Sequence, residues 1–218
     1  MDQVDIRAKA AAEQIRAVER QIAESRSALE RSAAAGDPEA QHMLAVLLLQ
    51  GEGYPQEPDR ALALLVEAAQ NGHTPSLLRL AELKARDPAA LEEAAALWTE
   101  AAARGSPAAM FALARALKVG KGAPQDLLAA RMRFEEAARL GFAPAMHEFG
   151  ICLADGLGGP EDAVEGFAWM YASFCAKASD VARANILRLA AAFSPAELAR
   201  ARKRGAALAK LHARRRQA

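Results

Sequence analysis

The chain has 218 residues, a hydrophobic fraction of 52% and a formal net charge of +1, which fits one domain or repeat array and argues against global disorder. Alanine contributes 57 residues, whereas valine, isoleucine and threonine together contribute 14, so the composition favours helix and excludes a β-sandwich or β-barrel as the main body. The near-neutral charge provides no general attraction to nucleic acid or anionic membrane.

Residues 1–35 predict one long helix. Apolar and small side chains recur along it at alternating steps of three and four, which is the pattern of a heptad seam. This heptad seam consists of Ala8, Ala11, Ile15, Val18, Ile22, Ser25 and Leu29. It can pack on the segment that follows, as an N-terminal cap, or form a coiled coil with another chain, which would include a homodimer through this helix.

A repeat of 33 to 36 residues occupies residues 36–178. Each unit opens with a glycine that follows an alanine-rich stretch and precedes a proline. The four glycines are Gly36, Gly72, Gly105 and Gly141. Glycine suits the left-handed residue that ends a helix, and proline suits the first turn of the next helix. We therefore predict four helix pairs, with Asp37, Thr74 and Ser106 as side-chain N-caps.

Two columns of residues recur at fixed positions within each unit. The eighth residue after the glycine is large and apolar and the ninth is small, which describes a helix pressed closely on its neighbours. These pairs are Leu44 and Ala45, Leu80 and Ala81, Leu113 and Ala114, and Phe149 and Gly150. The second helix carries a large residue seven before the next glycine, at Leu65, Trp98 and Phe134. We expect the large side chains of both columns to be buried between repeats.

A G-x-G turn joins the two helices in three of the four units, at 51–53, 120–122 and 156–158. The second unit lacks this turn and is three residues shorter. There, Asp87 and Pro88 provide a cap and a first-turn proline, so the second helix should begin almost at once. The glycine turns do not follow a strand, and helix ends explain them better than a nucleotide site does.

These residues resemble the Sel-one-like repeat (SLR) family, which is related to tetratricopeptide repeats. The matching pattern is A-x-x-x-L-A/G-x-x-L/Y, then G-x-G, then W/F-x-x-A-A-x-x-G. In the first unit it reads Ala40, Leu44, Ala45, Leu48, Gly51, Gly53, Leu65, Ala68, Ala69 and Gly72. The resemblance implies an all-α, right-handed α-solenoid of antiparallel helix pairs, about twelve helices in total, acting as a non-catalytic protein-interaction scaffold.

By analogy with tetratricopeptide arrays, the first helix of each unit lines a concave groove. The repeat phase assigns to this groove His42, Val46, Leu49, Leu78, Glu82, Phe111, Arg115, Lys118, His147 and Ile151. Apolar anchors mixed with charges of both signs suit a partner protein or peptide better than a nucleic acid. Aromatic and arginine side chains dominate many interfaces, so Phe111 and Arg115 are the favoured pair.

Residues 179–218 predict a capping helix pair with a basic tail. Ser194 and Glu197 form a capping-box start, and Leu198, Ala201, Gly205, Leu208 and Leu211 fall near one face. The stretch 195–218 carries a net charge of +7, against −6 for residues 1–194. It is either a solvated helix end or a contact for an acidic protein, a membrane or a nucleic acid. A regulator that uses this tail on nucleic acid or an anionic surface is the alternative function.

The sequence offers no constellation typical of an enzyme, a metal site or a cofactor site. His42 and His147 are equivalent positions three repeats apart, too distant to share a metal. No histidine has a nearby serine or cysteine arrangement that suggests a nucleophile. Cys152 and Cys175 form no CxxC motif, and we expect free thiols. Without a signal peptide or an apolar span of membrane length, we expect a cytoplasmic protein.

Overall fold

The structure, a computed structural model, describes residues 3–177 and 180–215, with side chains for 13–177 and 180–214. Within these ranges the chain forms eleven α-helices and no strand, which confirms the all-α prediction. The helices are α1 Gln3–Ala34, α2 Pro38–Gln50, α3 Pro58–Gln70, α4 Thr74–Lys84, α5 Leu91–Ala103, α6 Pro107–Val119, α7 Leu127–Arg139, α8 Ala143–Ala154, α9 Ala163–Ala176, α10 Asp180–Ala192 and α11 Pro195–Arg215.

The chain divides into two compact units, Met1–Leu80 and Ala81–Ala218, with the boundary inside α4. In the first unit, α1 packs on α2 and α2 packs on α3. In the second unit, helices α5 to α9 pack in chain order, and both α10 and α11 pack on α9. Within each unit, most helices that are adjacent in sequence are therefore adjacent in space, as expected for helical repeats.

The helix ends follow the predicted turn chemistry. The four repeat glycines have φ between 85° and 88°, a left-handed conformation that is costly for other L-residues. The Asp37 carboxylate accepts a hydrogen bond from the Glu39 amide, and the Ser106 hydroxyl accepts one from the Ala109 amide. The prediction for Thr74 was wrong because α4 already begins at that residue.

The shortened second repeat, which begins at Gly72, behaves as predicted. Helix α4 ends at Lys84, and the Asp87 carboxylate accepts a hydrogen bond from the Ala89 amide at 2.9 Å. A single 3₁₀ turn, Pro88–Ala90, then leads directly into α5. The side-chain cap and the first-turn proline therefore replace the missing G-x-G turn.

The repeat columns form the core of each unit. The buried large side chains are Leu44, Leu65, Leu80, Leu113, Phe134 and Phe149, and the small residues beside the first-helix column are buried as well. Trp98 differs from the prediction because its side chain is only partly buried. The centre of the second unit is Phe134, with Met146, Phe149 and Trp169 in the same apolar cluster.

Helices α8 and α9 approach each other through glycine. A Cβ atom added to Gly150 would lie 2.6 Å from the carbonyl oxygen of Gly166, and one added to Gly166 would lie 2.6 Å from that of Gly150. Real Cβ atoms are not found so close to backbone oxygens. The small ninth position of this repeat is therefore glycine because two backbones are in contact there.

The C-terminal helix packs with one face on α9. Ala201, Gly205 and Leu208 are buried as predicted, but Leu211 is 47% exposed and His212 is buried in its place. The buried positions advance by four, three and four residues, so the fourth falls on residue 212. The capping box is confirmed, since the Ser194 amide donates to the Glu197 carboxylate at 2.9 Å and the Glu197 amide donates to the Ser194 hydroxyl.

The N-terminal helix joins the first unit only near its C-terminal end. Ala33 is buried, and its carbonyl accepts a hydrogen bond from the buried side-chain amide of Gln41. Every side chain from Glu13 to Ala28 is exposed. Packing of the heptad seam on the following segment is therefore wrong for Ile15, Val18 and Ile22.

Candidate partner-binding surfaces

In the first unit, the predicted groove residues all lie at the surface and are half-buried. They are His42, Val46 and Leu49 on α2 and Leu78 on α4. His42 is the one of these that takes part in a polar network. Its ring centroid lies 4.9 Å from that of His73, which stands directly before α4.

The network joins Glu39, His73, Ser76 and His42 in one chain of hydrogen bonds. His73 Nε2 lies 2.9 Å from the Glu39 carboxylate, His73 Nδ1 lies 2.8 Å from the Ser76 hydroxyl oxygen, and His42 Nδ1 lies 3.0 Å from the same oxygen. With a neutral His73 ring, Nε2–H donates to Glu39, the Ser76 hydroxyl donates to His73, and His42 donates to Ser76. This order leaves Nε2 of His42 as an acceptor for a ligand.

The network places a serine hydroxyl between two histidine rings, an arrangement that the sequence analysis did not identify. Ser76 is completely buried, so its hydroxyl is inaccessible to a substrate and orients the two rings instead. His42 and Ser76 are 34 residues apart, and spacing alone did not connect them. The signal was the turn after Gly72, where His73 and Ser76 are separated by one helical turn.

Burial lowers the pKa of His42 below its ordinary value. The positive charge of Arg79 acts in the same direction, as would a proton on His73, whereas the Glu39 carboxylate opposes them. The neutral ring is therefore the favoured form of His42 at neutral pH, and His42 presents a polar but uncharged edge.

In the second unit, Phe111 and Arg115 lie one turn apart on α6. The Phe111 ring is half-buried and contacts the rings of Phe134 and Phe142 at centroid distances of 5.7 and 5.5 Å. The Arg115 guanidinium lies 5.9 Å from the centroid of the same ring, within the range of a cation–π contact. Arg115 is exposed, and no carboxylate among the described residues forms an ion pair with it.

Lys118, the next predicted groove residue on α6, is bound within the protein. Its ammonium lies 2.9 Å from the Glu148 carboxylate of α8, and both side chains are about three-quarters buried. Glu82, on α4, is exposed. We refer to Phe111, Arg115 and Lys118 together as the α6 face.

Helix α10 covers the predicted groove residues of α8. The Asn185 amide donates to His147 Nε2 at 3.2 Å, and Ile151 packs against the apolar cluster that contains Leu189. Arg188 adds an ion pair with Asp155 at 3.3 Å. His147 and Ile151 are thus contacted by the protein's own helix, and Glu82, Phe111 and Arg115 remain the accessible members of the set in this unit.

Acid should destabilise the second unit through His147. Burial, reinforced by Lys118 and opposed by Glu148, lowers the pKa of His147 from its ordinary value of 6.5. The unfolded chain therefore binds the proton first, so stability is complete above about pH 6.5 and falls as the pH decreases below it. Urea unfolding followed by tryptophan fluorescence should give a lower midpoint at about pH 5.5 than at about pH 7.5, because both tryptophans lie in this unit. In the His147→Gln variant, acidification should lower the urea midpoint less than it does in the wild type. An equal decrease in both proteins would show that His147 is not the group responsible.

The remaining candidate chemistry is limited. Cys152 is buried and Cys175 is exposed, both are free thiols, and burial raises the pKa of Cys152. Among the described residues, no three His, Cys, Asp or Glu side chains are grouped closely enough to hold a metal. None of the described helices is both long and apolar enough to cross a bilayer.

A cleft of about 510 Å³ in the second unit was not predicted. Its walls come from α7, α8, α9 and α11, with Phe149 and Trp169 among the apolar residues. Its charged side chains have partners within the protein: Arg204 binds Glu165, Arg139 binds Glu135, and the Arg131 guanidinium donates to the Pro160 carbonyl. The cleft therefore lies where α11 packs against helices α7, α8 and α9.

Helix pairs that pack in chain order, end at left-handed glycines and recur every 33 to 36 residues define a repeat protein of the α-solenoid class. Residues 38–73, 107–142 and 143–174 match the family model of the Sel1 repeat. The chain therefore contains three Sel1 repeats, as the sequence resemblance indicated. Proteins of this family are generally non-catalytic scaffolds for protein–protein interaction.

Solved structures support the same fold. A protective antigen present in uropathogenic Escherichia coli strains, which displays an SLR fold, has a TM-score of 0.76 and 25% identity over 86% of this chain. A Sel1 repeat protein from Oxalobacter formigenes has a TM-score of 0.67 and 29% identity over 74% of this chain. The matches span only 40% and 48% of the lengths of those two proteins. Among curated proteins, none matches the chain in sequence.

Proposed function

We propose that this chain is a cytoplasmic scaffold whose second unit binds a segment of a partner protein on the α6 face. The observation that carries the proposal is the Phe111–Arg115 pair. The half-buried Phe111 ring is held by the rings of Phe134 and Phe142, and the exposed Arg115 guanidinium lies beside it. Aromatic and arginine side chains of this kind are the anchors that dominate protein interfaces. The free thiols of Cys152 and Cys175 are consistent with a reducing compartment.

The α6 face also indicates the chemistry of the partner segment. Phe111 offers an apolar surface, whereas Arg115 offers donors that match a carboxylate in bidentate geometry. Lys118 is already neutralised by Glu148, so it contributes little attraction for a second anion. The best-fitting ligand has an apolar side chain against Phe111 and an acidic side chain within one turn of it.

Peptide selection tests this assignment directly. Peptides selected from a random library on the wild-type chain should carry an acidic residue close to an apolar one. Arg115→Ala should weaken their binding by about 2 kcal/mol, or about 30-fold in Kd. Phe111→Ala should weaken binding as well, but it also removes ring contacts with Phe134 and Phe142, so the arginine variant is the clearer measurement.

A matched control separates the α6 face from general surface effects. Leu128→Ala and Met132→Ala remove exposed apolar side chains from α7 of the same unit and should leave the Kd unchanged. Binding that survives Arg115→Ala would refute the proposal. Binding that instead disappears when Arg202 and Lys203 are replaced by glutamate, with a steep salt dependence, would favour the basic C-terminal helix as the contact.

A further inference from the structure

The N-terminal helix presents an apolar stripe that nothing in its own unit covers. Ile15, Val18 and Ile22 are 59%, 55% and 47% exposed. They lie on one face, three and four residues apart, within an uninterrupted helix of 32 residues. From Glu13 to Ala28 this helix has no buried side chain.

A helix of this kind needs a partner for its stability. Most helical stability in proteins comes from packing of an apolar face, and an isolated helix is marginal in water. Isoleucine and valine are poorer helix formers than alanine, leucine or glutamate because their χ1 rotation is restricted. Their presence on the exposed stripe, rather than in the core, is explained if the stripe packs against a second helix.

The spacing specifies the geometry of that second helix. A strict seven-residue repeat of apolar residues makes a helix supercoil around its partner. Only another long helix with the same period can follow that supercoil. The steps of three and four place Ile15 and Ile22 at the a positions and Val18 at d. β-Branched residues at a are compatible with two parallel strands. We propose that α1 forms a parallel, in-register coiled coil with α1 of a second copy of this chain.

Among the ways in which α1 can pair with its own copy, the parallel, in-register one best matches side-chain size and avoids contacts between like charges. It places each of the three exposed apolar residues opposite its own copy and sets Gln14 beside Glu19 of the second copy, without like charges in contact. In one antiparallel register Ile22 faces Val18, but Glu19 then lies beside Glu19 of the second copy. In the other antiparallel register Ile22 faces only Ala11.

The structure also shows where the coiled coil ends. The Arg26 guanidinium lies 5.5 Å from the centroid of the Tyr54 ring, and the Tyr54 hydroxyl donates to the Arg26 carbonyl. Beyond this point α1 belongs to its own unit, so the self-pairing segment covers about three heptads before Arg26. The dimer would present two copies of the α6 face and make the scaffold bivalent.

The mass of the chain in solution tests the dimer independently of any partner. Light scattering should give twice the 23.1 kDa of the single chain at high concentration and a decreasing mass on dilution. Ile15→Glu with Ile22→Glu should give the single-chain mass. Since both side chains are exposed in the first unit, the tryptophan-monitored unfolding of the second unit should not change.

The matched control adds the same two charges away from the stripe. Ala17→Glu with Ala23→Glu lies on the same exposed helix and should remain dimeric. A wild-type chain that stays single at every concentration would mean that the stripe serves a different protein, and the proposal would be wrong. It would also be wrong if the stripe variant stayed dimeric.

Cross-linking tests the orientation. Ser25 is an exposed d position, and Ser25→Cys in a Cys175→Ser background should form a disulfide between two copies under mild oxidation. The background substitution removes the exposed native thiol. If cross-links form only in a mixture of Ala8→Cys and Ser25→Cys chains, the pairing is antiparallel and the proposed geometry is refuted.

Discussion

Replacing Phe134 with alanine should lower the free energy of unfolding of the second unit by about 3–5 kcal/mol. Phe134 is completely buried and lies at the centre of a cluster that includes Met146, Phe149 and Trp169. Removing its ring leaves a cavity bordered by side chains from several helices, and close-packed surroundings cannot collapse fully into it. Phe111 would also lose a ring contact, since the two centroids are 5.7 Å apart.

Urea unfolding followed by tryptophan fluorescence measures this effect. The control is Met132→Ala on the same helix, where the side chain is 53% exposed; its effect should stay within about 0.5 kcal/mol. If the two substitutions had equal effects, Phe134 would not be the centre of the core and the assigned repeat phase would be wrong.

Gly150→Ala should destabilise the second unit by about 2–3 kcal/mol through overpacking. In an open helix the same change would stabilise by about 0.5–1 kcal/mol, because alanine loses less entropy than glycine. Here the added Cβ would meet the Gly166 carbonyl oxygen at 2.6 Å and the backbone nitrogen of Met170 at 3.1 Å. Backbone atoms cannot move aside as a flexible side chain can, so α8 and α9 would have to separate.

The equivalent position of the preceding repeat provides the control. Ala114 is completely buried and tolerates a methyl group, so Ala114→Gly should destabilise through helix propensity and lost packing. Opposite exchanges at equivalent positions should therefore both be unfavourable. A stabilising effect of Gly150→Ala in thermal unfolding would show that the two helices do not approach through glycine.

The candidate binding residues show where repeat phase stops being informative. The phase correctly placed Phe111 and Arg115 at the surface of α6, because helical periodicity decides which face a residue lies on. It could not show that the Lys118 charge is neutralised by Glu148, or that Asn185 of α10 reaches His147. Both contacts join residues at least 30 positions apart, and the position of α10 depends on how it packs against α9.

Local chemistry determined the helices of this protein by itself. Left-handed glycines, first-turn prolines and Asp or Ser caps act within a few residues, and apolar periodicity selects the buried face, so both can be read from the order of residues. Only the tertiary structure decided which apolar faces of the helices are covered. The heptad pattern of α1 was visible in the sequence, but the exposure of Ile15, Val18 and Ile22 was not, because whether an apolar stripe is buried depends on what the rest of the chain places against it.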